Sequence, residues 1–148
     1  MNQEEIIQLQ LCAYIRAHYP EVIFTSDLSG VRLPIGLAKK IKMLRGQRGI
    51  PDLIVFYPAG GYYGLLIELK STDAKVFRRD GTLVANDHYR EQLNIIIQLR
   101  ELGYAAYFVR GLMTGKKCIE NYMKLGLTTG EQDQRSLLDQ DECPIEYT

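Results

Sequence analysis

The sequence has 148 residues, of which 46% are hydrophobic and 24% are charged, so it is long enough for one domain with its own core. It holds 18 lysines and arginines against 18 aspartates and glutamates, and no apolar run reaches the length of a membrane span. Three widely separated cysteines and a polar, acidic N-terminus exclude a disulfide framework, a zinc motif and a secretory signal, which together favour a cytoplasmic protein with reduced thiols.

The N-terminal third predicts a helix, a short strand and a second helix. Residues 3–18 carry apolar side chains densely enough for a helix that packs on a core. The β-branched run at 22–25 predicts a strand, and a loop that contains glycine and proline follows it. Residues 35–45 predict a helix that ends at Gly46.

The second helix lies in a block of a single charge sign. Residues 28–51 contain six bases and no acid. A solvated helix face could carry such a block, but the absence of any acid favours a polyanionic partner. The six bases are Arg32, Lys39, Lys40, Lys42, Arg45 and Arg48.

A hairpin of two strongly apolar strands follows the basic block. We predict the strands at 52–57 and 62–69 and the turn at 58–61. Because both faces of each strand are apolar, the pair should lie centrally in a sheet that is covered on both sides. With the turn centred on Gly60, the numbers of paired residues sum to about 120, although another turn type would shift this register by one.

The C-terminal half predicts a crossover helix between two strands. Residues 71–87 are polar and contain a second turn at 80–81. The helix at 88–102 has a strong apolar face, a strand at 104–109 follows it, and residues 115–125 predict a last helix. The order of these elements predicts an α/β fold with a central mixed sheet flanked by helices.

The charges divide the chain into two parts. Residues 131–148 hold six acids and one base, so the other 130 residues hold 12 acids and 17 bases. We therefore predict one folded domain at 1–130 and an acidic C-terminal tail at 131–148, either disordered or placed over the basic surface.

Two carboxylates and an ammonium group meet at the open end of the predicted hairpin. The register places Asp52 opposite Glu68, and Lys70 shares the face of Glu68 because strand side chains alternate. Opposed carboxylates destabilise a sheet unless a positive group lies between them. Either Lys70 neutralises one carboxylate in an inert ion triad, or a divalent cation binds both. The basic block favours the cation, since Mg²⁺ binds one or two carboxylates together with water and substrate phosphate.

The residues around this hairpin resemble a nuclease family. Residues 49–52 (GIPD) followed by 68–70 (ELK) are similar to the PD-(D/E)xK nuclease signature. The wider pattern KIKMLRGQRGIPDLIVF…LLIELK…Q…LGY resembles the VRR-NUC family, small virus-type replication and repair nucleases, from Glu4 to Gly111. The resemblance implies a restriction-endonuclease-like core with the element order αβββαβ.

The same resemblance implies a role for five residues. Asp52 and Glu68 would bind Mg²⁺ or Mn²⁺ together with the backbone carbonyl of Leu69. Lys70 would be the catalytic lysine. Gln92 matches a glutamine that the family places near its active site.

Three further assignments are less closely defined by the sequence. The family places an acid on its first helix, where Glu4 and Glu5 both stand; Glu4 is four residues before Gln8, as in the family pattern, and we favour it. His88 could bind phosphate or only begin a helix, and we favour the helix start. The polar insertion at 71–88 either contacts DNA or decorates the surface. Its bases are Lys75, Arg78 and Arg79.

The resemblance implies a metal-dependent DNA endonuclease that hydrolyses backbone phosphodiesters. It favours branched or junction DNA as substrate, a role in replication, recombination or repair, and a bacterial or phage-infected cell. Each chain would have one site, so cutting both strands predicts a homodimer. Two alternatives stay open: a non-catalytic nucleic-acid-binding module on the same fold, and a metal-dependent nucleotide phosphohydrolase with a closed small-molecule pocket.

Overall fold

Helices and strands alternate along the chain in the computed structural model, which describes residues 1–28 and 31–128. The acidic tail at 131–148 therefore lies outside the described residues. The elements are α1 (Gln3–His18), β1 (Ile23–Ser26), α2 (Ile35–Leu44), β2 (Leu53–Phe56), β3 (Leu65–Lys70), α3 (Asp87–Glu101), β4 (Ala105–Arg110) and α4 (Gly111–Lys124).

The strands form one mixed sheet in the order β1-β2-β3-β4. β2 is antiparallel to both β1 and β3, whereas β4 is parallel to β3. α3 connects the two parallel strands as the predicted crossover helix. The α/β fold class is therefore confirmed, and the order αβββαβ is present with α2 inserted between the first two strands.

The predicted register of the hairpin is confirmed. Leu53 lies opposite Ile67 and Val55 opposite Leu65, so the paired numbers sum to 120. The predicted strand ends are wrong, because the chain leaves the ladder after Phe56 and re-enters it only at Leu65. Between these points Ala59 forms bridges to Tyr62 and to Leu127, so this segment pairs with the chain after α4 instead of extending the hairpin.

The sheet separates two hydrophobic clusters. α1 and α4 pack on one face, where Leu53, Ile67 and Leu69 are buried. α3 packs on the other face, where Leu66 and Phe108 are buried. All six residues of β3 are buried, as expected for a central strand.

The prediction that the hairpin is covered on both sides is wrong for the end of β2. Phe56 is 55% exposed, and its partner Ile23 on β1 is 71% exposed. The reason is that α3 packs on β4 and leaves the α3 face of the sheet open toward β1.

The last helix begins four residues earlier than predicted. Gly111 has φ +79°, a conformation open to glycine, so the chain turns from β4 into α4 without a loop. Gly115 lies inside α4 at a close contact with α1, where an added Cβ would stand only 3.1 Å from the side chain of Leu11. The glycines at this point therefore serve a turn and a close helix contact.

The insertion between β3 and α3 is anchored to the core. Its predicted turn is confirmed, since Arg78 N–H donates to the Thr82 carbonyl at 2.7 Å and Gly81 has φ +83°. Val76, only 3% exposed, belongs to the cluster beneath α3. Among the described helices, none is both long and apolar enough to cross a bilayer.

Candidate active site

Three charged side chains meet where β2 begins and β3 ends. The register of the hairpin, continued by one residue, places Asp52 opposite Glu68. Glu68 and Lys70 are each 3% exposed, and Lys70 Nζ lies 3.2 Å from Glu68 Oε1. Asp52 Oδ2 accepts a hydrogen bond of 2.8 Å from the backbone N–H of Leu69. The structure thus brings together the three charges that the register predicts.

Pro51 determines what the backbone of Leu69 faces. The register of the hairpin, continued by two residues, places Leu69 opposite Pro51, which has no N–H to donate to the Leu69 carbonyl. The N–H and C=O of one strand residue point to the same side, and the Leu69 N–H points to Asp52. The Leu69 carbonyl is therefore directed to the Asp52 side of β3 without a ladder donor opposite it.

Gln92 on α3 fixes one oxygen of Glu68. Gln92 is 4% exposed, and its Nε2 donates to Glu68 Oε1 at 2.5 Å. Glu68 Oε1 therefore accepts from both Gln92 and Lys70. Glu68 Oε2, in contrast, is buried and has no hydrogen-bond partner within residues 1–28 and 31–128. A buried acceptor without a hydrogen bond destabilises the folded protein unless another group donates to it or binds it.

The two carboxyl groups are difficult to ionise together. Burial and the negative charge of Asp52 raise the pKa of Glu68 to about 9, although Lys70 acts in the opposite direction. Burial also raises the pKa of Asp52. Without further positive charge, the pair therefore holds a proton at neutral pH. A cation between the two groups would replace that proton.

The donor set fits a hard divalent cation. Asp52, Glu68 and the carbonyl of Leu69 offer oxygen atoms only, which are the ligands that Mg²⁺ and Mn²⁺ prefer. Such an ion would bind Oε2 of Glu68, the buried oxygen that has no hydrogen-bond partner among the described residues. No group of three His, Cys, Asp or Glu side chains is arranged for a metal within the described chain, so the remaining ligands would be water or substrate.

A cavity of about 600 Å³ opens above these side chains. Its walls come from α1, α2, α3 and the loop before β2. The charged and polar residues that line it are Glu4, Asp27, Lys42, Arg45, Gln47, Arg48, Asp52, Glu68, Lys70, His88, Glu91 and Gln92. The cavity therefore has an acidic floor, and its walls carry three basic residues, Lys42, Arg45 and Arg48, beside the acidic Glu4, Asp27 and Glu91.

The structure separates the two candidate acids of α1. Glu4 lines the cavity, and its negative charge is one of the influences that raise the pKa of Asp52. Glu5 caps its own helix, because its side chain accepts from the N–H of Asn2 at 2.9 Å. It also accepts from the N–H of Arg32 at 3.3 Å. The geometry favours Glu4, whose chemical role stays a prediction.

The predicted DNA-binding residues are divided among four places. Lys42, Arg45 and Arg48 line the cavity, and Arg45 also pairs with Asp27 at 3.4 Å. Lys39 and Lys40 are exposed on α2 outside the cavity. Arg32 borders a separate depression beside the start of α1, and the insertion exposes Lys75, Arg78 and Arg79. Their contact with DNA stays a prediction, as does a phosphate role for His88.

Two aromatic rings beside Lys70 are not predicted from the sequence. Lys70 Nζ lies 4.9 Å from the ring centroid of Tyr89 and 6.0 Å from that of Phe108. Rings at these distances attract a buried ammonium group and limit its positions. The sequence signal that points to Tyr89 is its spacing on α3, because it stands one turn before Gln92 and so shares its helix face.

Comparisons with known proteins support the fold. No family model matches the sequence, and no curated protein matches it significantly. A solved structure named "VRR_NUC domain protein" is similar, with a TM-score of 0.57 and 22% sequence identity, over 87% of this chain and 94% of that chain. The likeness extends over most of both chains, so the two proteins share their fold.

Proposed function

We propose that the protein is a divalent-metal-dependent deoxyribonuclease that hydrolyses backbone phosphodiesters. The observation that carries the proposal is the orphan oxygen of Glu68 beside Asp52 and Lys70, on the floor of a cavity that is also lined by Lys42, Arg45 and Arg48. The name of the similar solved structure, a VRR_NUC domain protein, agrees with nuclease chemistry. A phosphate chain is the ligand that the basic residues of the cavity would attract.

Asp52, Glu68 and the Leu69 carbonyl would hold Mg²⁺ or Mn²⁺. The bound ion would supply a more acidic water and polarise a phosphoryl oxygen. Lys70 would orient the attacking water or stabilise the charge that develops on the phosphate. Gln92 would keep Glu68 in place, since its amide already holds Oε1.

The basic residues would position DNA around this centre. Lys42, Arg45 and Arg48 line the cavity and would bind the phosphates that flank the scissile bond. With one such site per chain, cleavage of both strands would require two copies, which favours a homodimer acting on branched DNA.

Cleavage of labelled DNA in defined metals tests the proposal. A four-way junction, a splayed-arm duplex and a linear duplex would be incubated with Mg²⁺, Mn²⁺ or EDTA. We expect cleavage in Mg²⁺ or Mn²⁺ and none in EDTA. Lys70→Ala should lower the rate by about a hundredfold or more while DNA affinity stays within about twofold.

Lys117→Ala is the matched control, because Lys117 is an exposed lysine on α4 that does not line the cavity. It should cleave at the wild-type rate. Absence of cutting in every metal condition, or equal activity in Lys70→Ala, would contradict the proposed chemistry.

A metal-dependent nucleotide phosphohydrolase is the second candidate. The cavity of about 600 Å³ is within the size range of small-molecule sites. Release of phosphate or pyrophosphate from deoxynucleoside triphosphates in the same metals would favour this candidate, provided that no DNA is cut. Binding of DNA without any hydrolysis would instead favour a non-catalytic module.

A further inference from the structure

Helix α2 stands apart from the hydrophobic core. None of its ten residues is buried, and it packs extensively on no other helix or strand in the described part of the chain. The ion pair between Arg45 and Asp27 holds the chain just after its C-terminal end. The helix therefore contributes little to the core, and most of its surface is available for a contact outside the fold.

The two sides of α2 face different surroundings. Ala38, Ile41, Lys42 and Arg45 line the cavity, and they are spaced as one helical face. At 100° per residue, the opposite side carries the exposed residues that do not line it. These are Leu37, Lys39, Lys40, Met43 and Leu44.

The outer side ends in an apolar tip. Met43 is 83% exposed and Leu44 is 82% exposed, although both are large hydrophobic residues. The tip lies in the last turn of α2, between Lys42 and Arg45, which line the cavity. Two neighbouring apolar side chains this exposed favour a contact that covers them.

The positive charge around the tip favours a negatively charged partner over a second copy of the helix. The described residues 31–51 include six bases and no acid. A symmetric contact between two copies of α2 would place lysines against lysines, which is unfavourable. A nucleic acid offers the complementary pair of properties, because its phosphates match the lysines and its base faces match the apolar tip.

We propose that α2 inserts between two arms of a branched DNA, with Met43 and Leu44 stacking on the base pair exposed at the branch. This inference rests on the proposed function and assigns to the exposed tip of α2 the recognition of the branch. The cavity side of α2 would face the arm that is cut. Lys39 and Lys40 on the outer side would bind phosphates of the second arm.

The expected preference for branched over linear DNA depends on whether the contacted base step is already unstacked. Apolar side chains that contact base faces in a continuous duplex must first unstack a base step. At a branch point, that step is already broken, so the side chains gain the contact without this cost. A linear duplex would use only the cavity side of α2 and would bind more weakly.

Binding in EDTA tests the inference without cleavage. Fluorescence anisotropy would compare a splayed-arm duplex with a linear duplex of equal length. We expect Met43→Ser/Leu44→Ser to lose about tenfold in affinity for the splayed arm and less than about twofold for the linear duplex. The matched control Met43→Leu/Leu44→Met keeps the apolar surface and should bind both DNAs as the wild type does.

A second readout uses the unaltered protein. With 2-aminopurine in the base pair at the branch, wild-type binding should change its fluorescence, and the double serine variant should not. Equal losses on both DNAs, no loss on either, or an unchanged 2-aminopurine signal with wild type would overturn the proposal.

Sedimentation distinguishes a self-contact from a DNA contact. If the double serine variant alone converts a dimer to a monomer, the tip is an interface between copies, and the proposal is wrong. If the wild type binds neither DNA, the proposed nuclease function fails together with it. Binding and cleavage with equal affinities for both DNAs would remove only the role of α2.

Discussion

Replacing Glu68 by glutamine should stabilise the metal-free protein and abolish its response to divalent cations. Glutamine keeps the shape of the side chain and the acceptor for Gln92 and Lys70. Its amide N–H can donate to Asp52, whose negative charge raises the pKa of Glu68 in the native pair. The substitution therefore removes a titrating group and leaves most contacts in place.

The expected gain follows from proton linkage. The pKa of Glu68 is raised from 4.5 to about 9 in the folded protein. At a pH between these two values, the folded state binds a proton that the unfolded state has lost. The contribution of Glu68 to the free energy of unfolding is therefore complete below pH 4.5 and is lost as the pH rises toward 9. Each pH unit costs about 1.4 kcal/mol, which gives about 4 kcal/mol at pH 7.5 as an upper bound.

We expect Glu68→Gln to recover about 1–3 kcal/mol of this cost at pH 7.5, or a Tm about 3–10 °C higher. Thermal unfolding in EDTA would measure it at pH 5 and pH 7.5, and the gain should be smaller at pH 5. Adding Mn²⁺ should raise the Tm of the wild type but not that of the variant. The exposed Glu101, at the end of α3, provides the control Glu101→Gln, which should change neither quantity.

Two outcomes would refute the reasoning about the carboxyl pair. One is a variant that is less stable than the wild type in EDTA at pH 7.5. The other is a wild type whose stability in EDTA rises between pH 5 and pH 8.5, because the raised pKa of Glu68 requires the opposite sign.

Two further predictions concern the Leu69 carbonyl, the proposed backbone ligand of the metal, and the basic helix α2. Pro51→Ala would place an N–H opposite the Leu69 carbonyl, so Mn²⁺ affinity measured by calorimetry should fall about tenfold; unchanged affinity would exclude this carbonyl as a ligand. Removing the charges of Lys39, Lys40 and Lys42 together should weaken DNA binding and lower its salt slope by up to about three, whereas an unchanged slope would place the DNA path elsewhere.

The part of the site that sequence predicts well is the part that is local in the chain. The hairpin register follows from its turn, and that register alone brings Asp52 to Glu68 and Lys70. Gln92 was assigned by resemblance, and its bond to Glu68 comes from a helix that follows the same hairpin. Short separations leave few ways to arrange these groups.

The features that sequence did not predict depend on contacts between distant segments. The hairpin strands are shorter than their apolar runs, because Ala59 pairs with Leu127 after the last helix. The docking of α1 places Glu4, the acid that the sequence favours, at the cavity, whereas the rings around Lys70 needed the docking of α3 on the sheet.

The pairing of Ser26 with Leu53 gives α2 an unusual freedom to vary. These residues face each other across neighbouring strands, so the segment from 27 to 52 that includes α2 is the connecting loop of a hairpin. Changing the length of such a loop costs little free energy, since closure entropy grows slowly with length. Mutation could therefore remodel the cavity-facing helix while the ladder that holds Glu68 and Lys70 stays constant. Under the proposed function, the residues that choose a substrate and those that cut it could then evolve at separate rates.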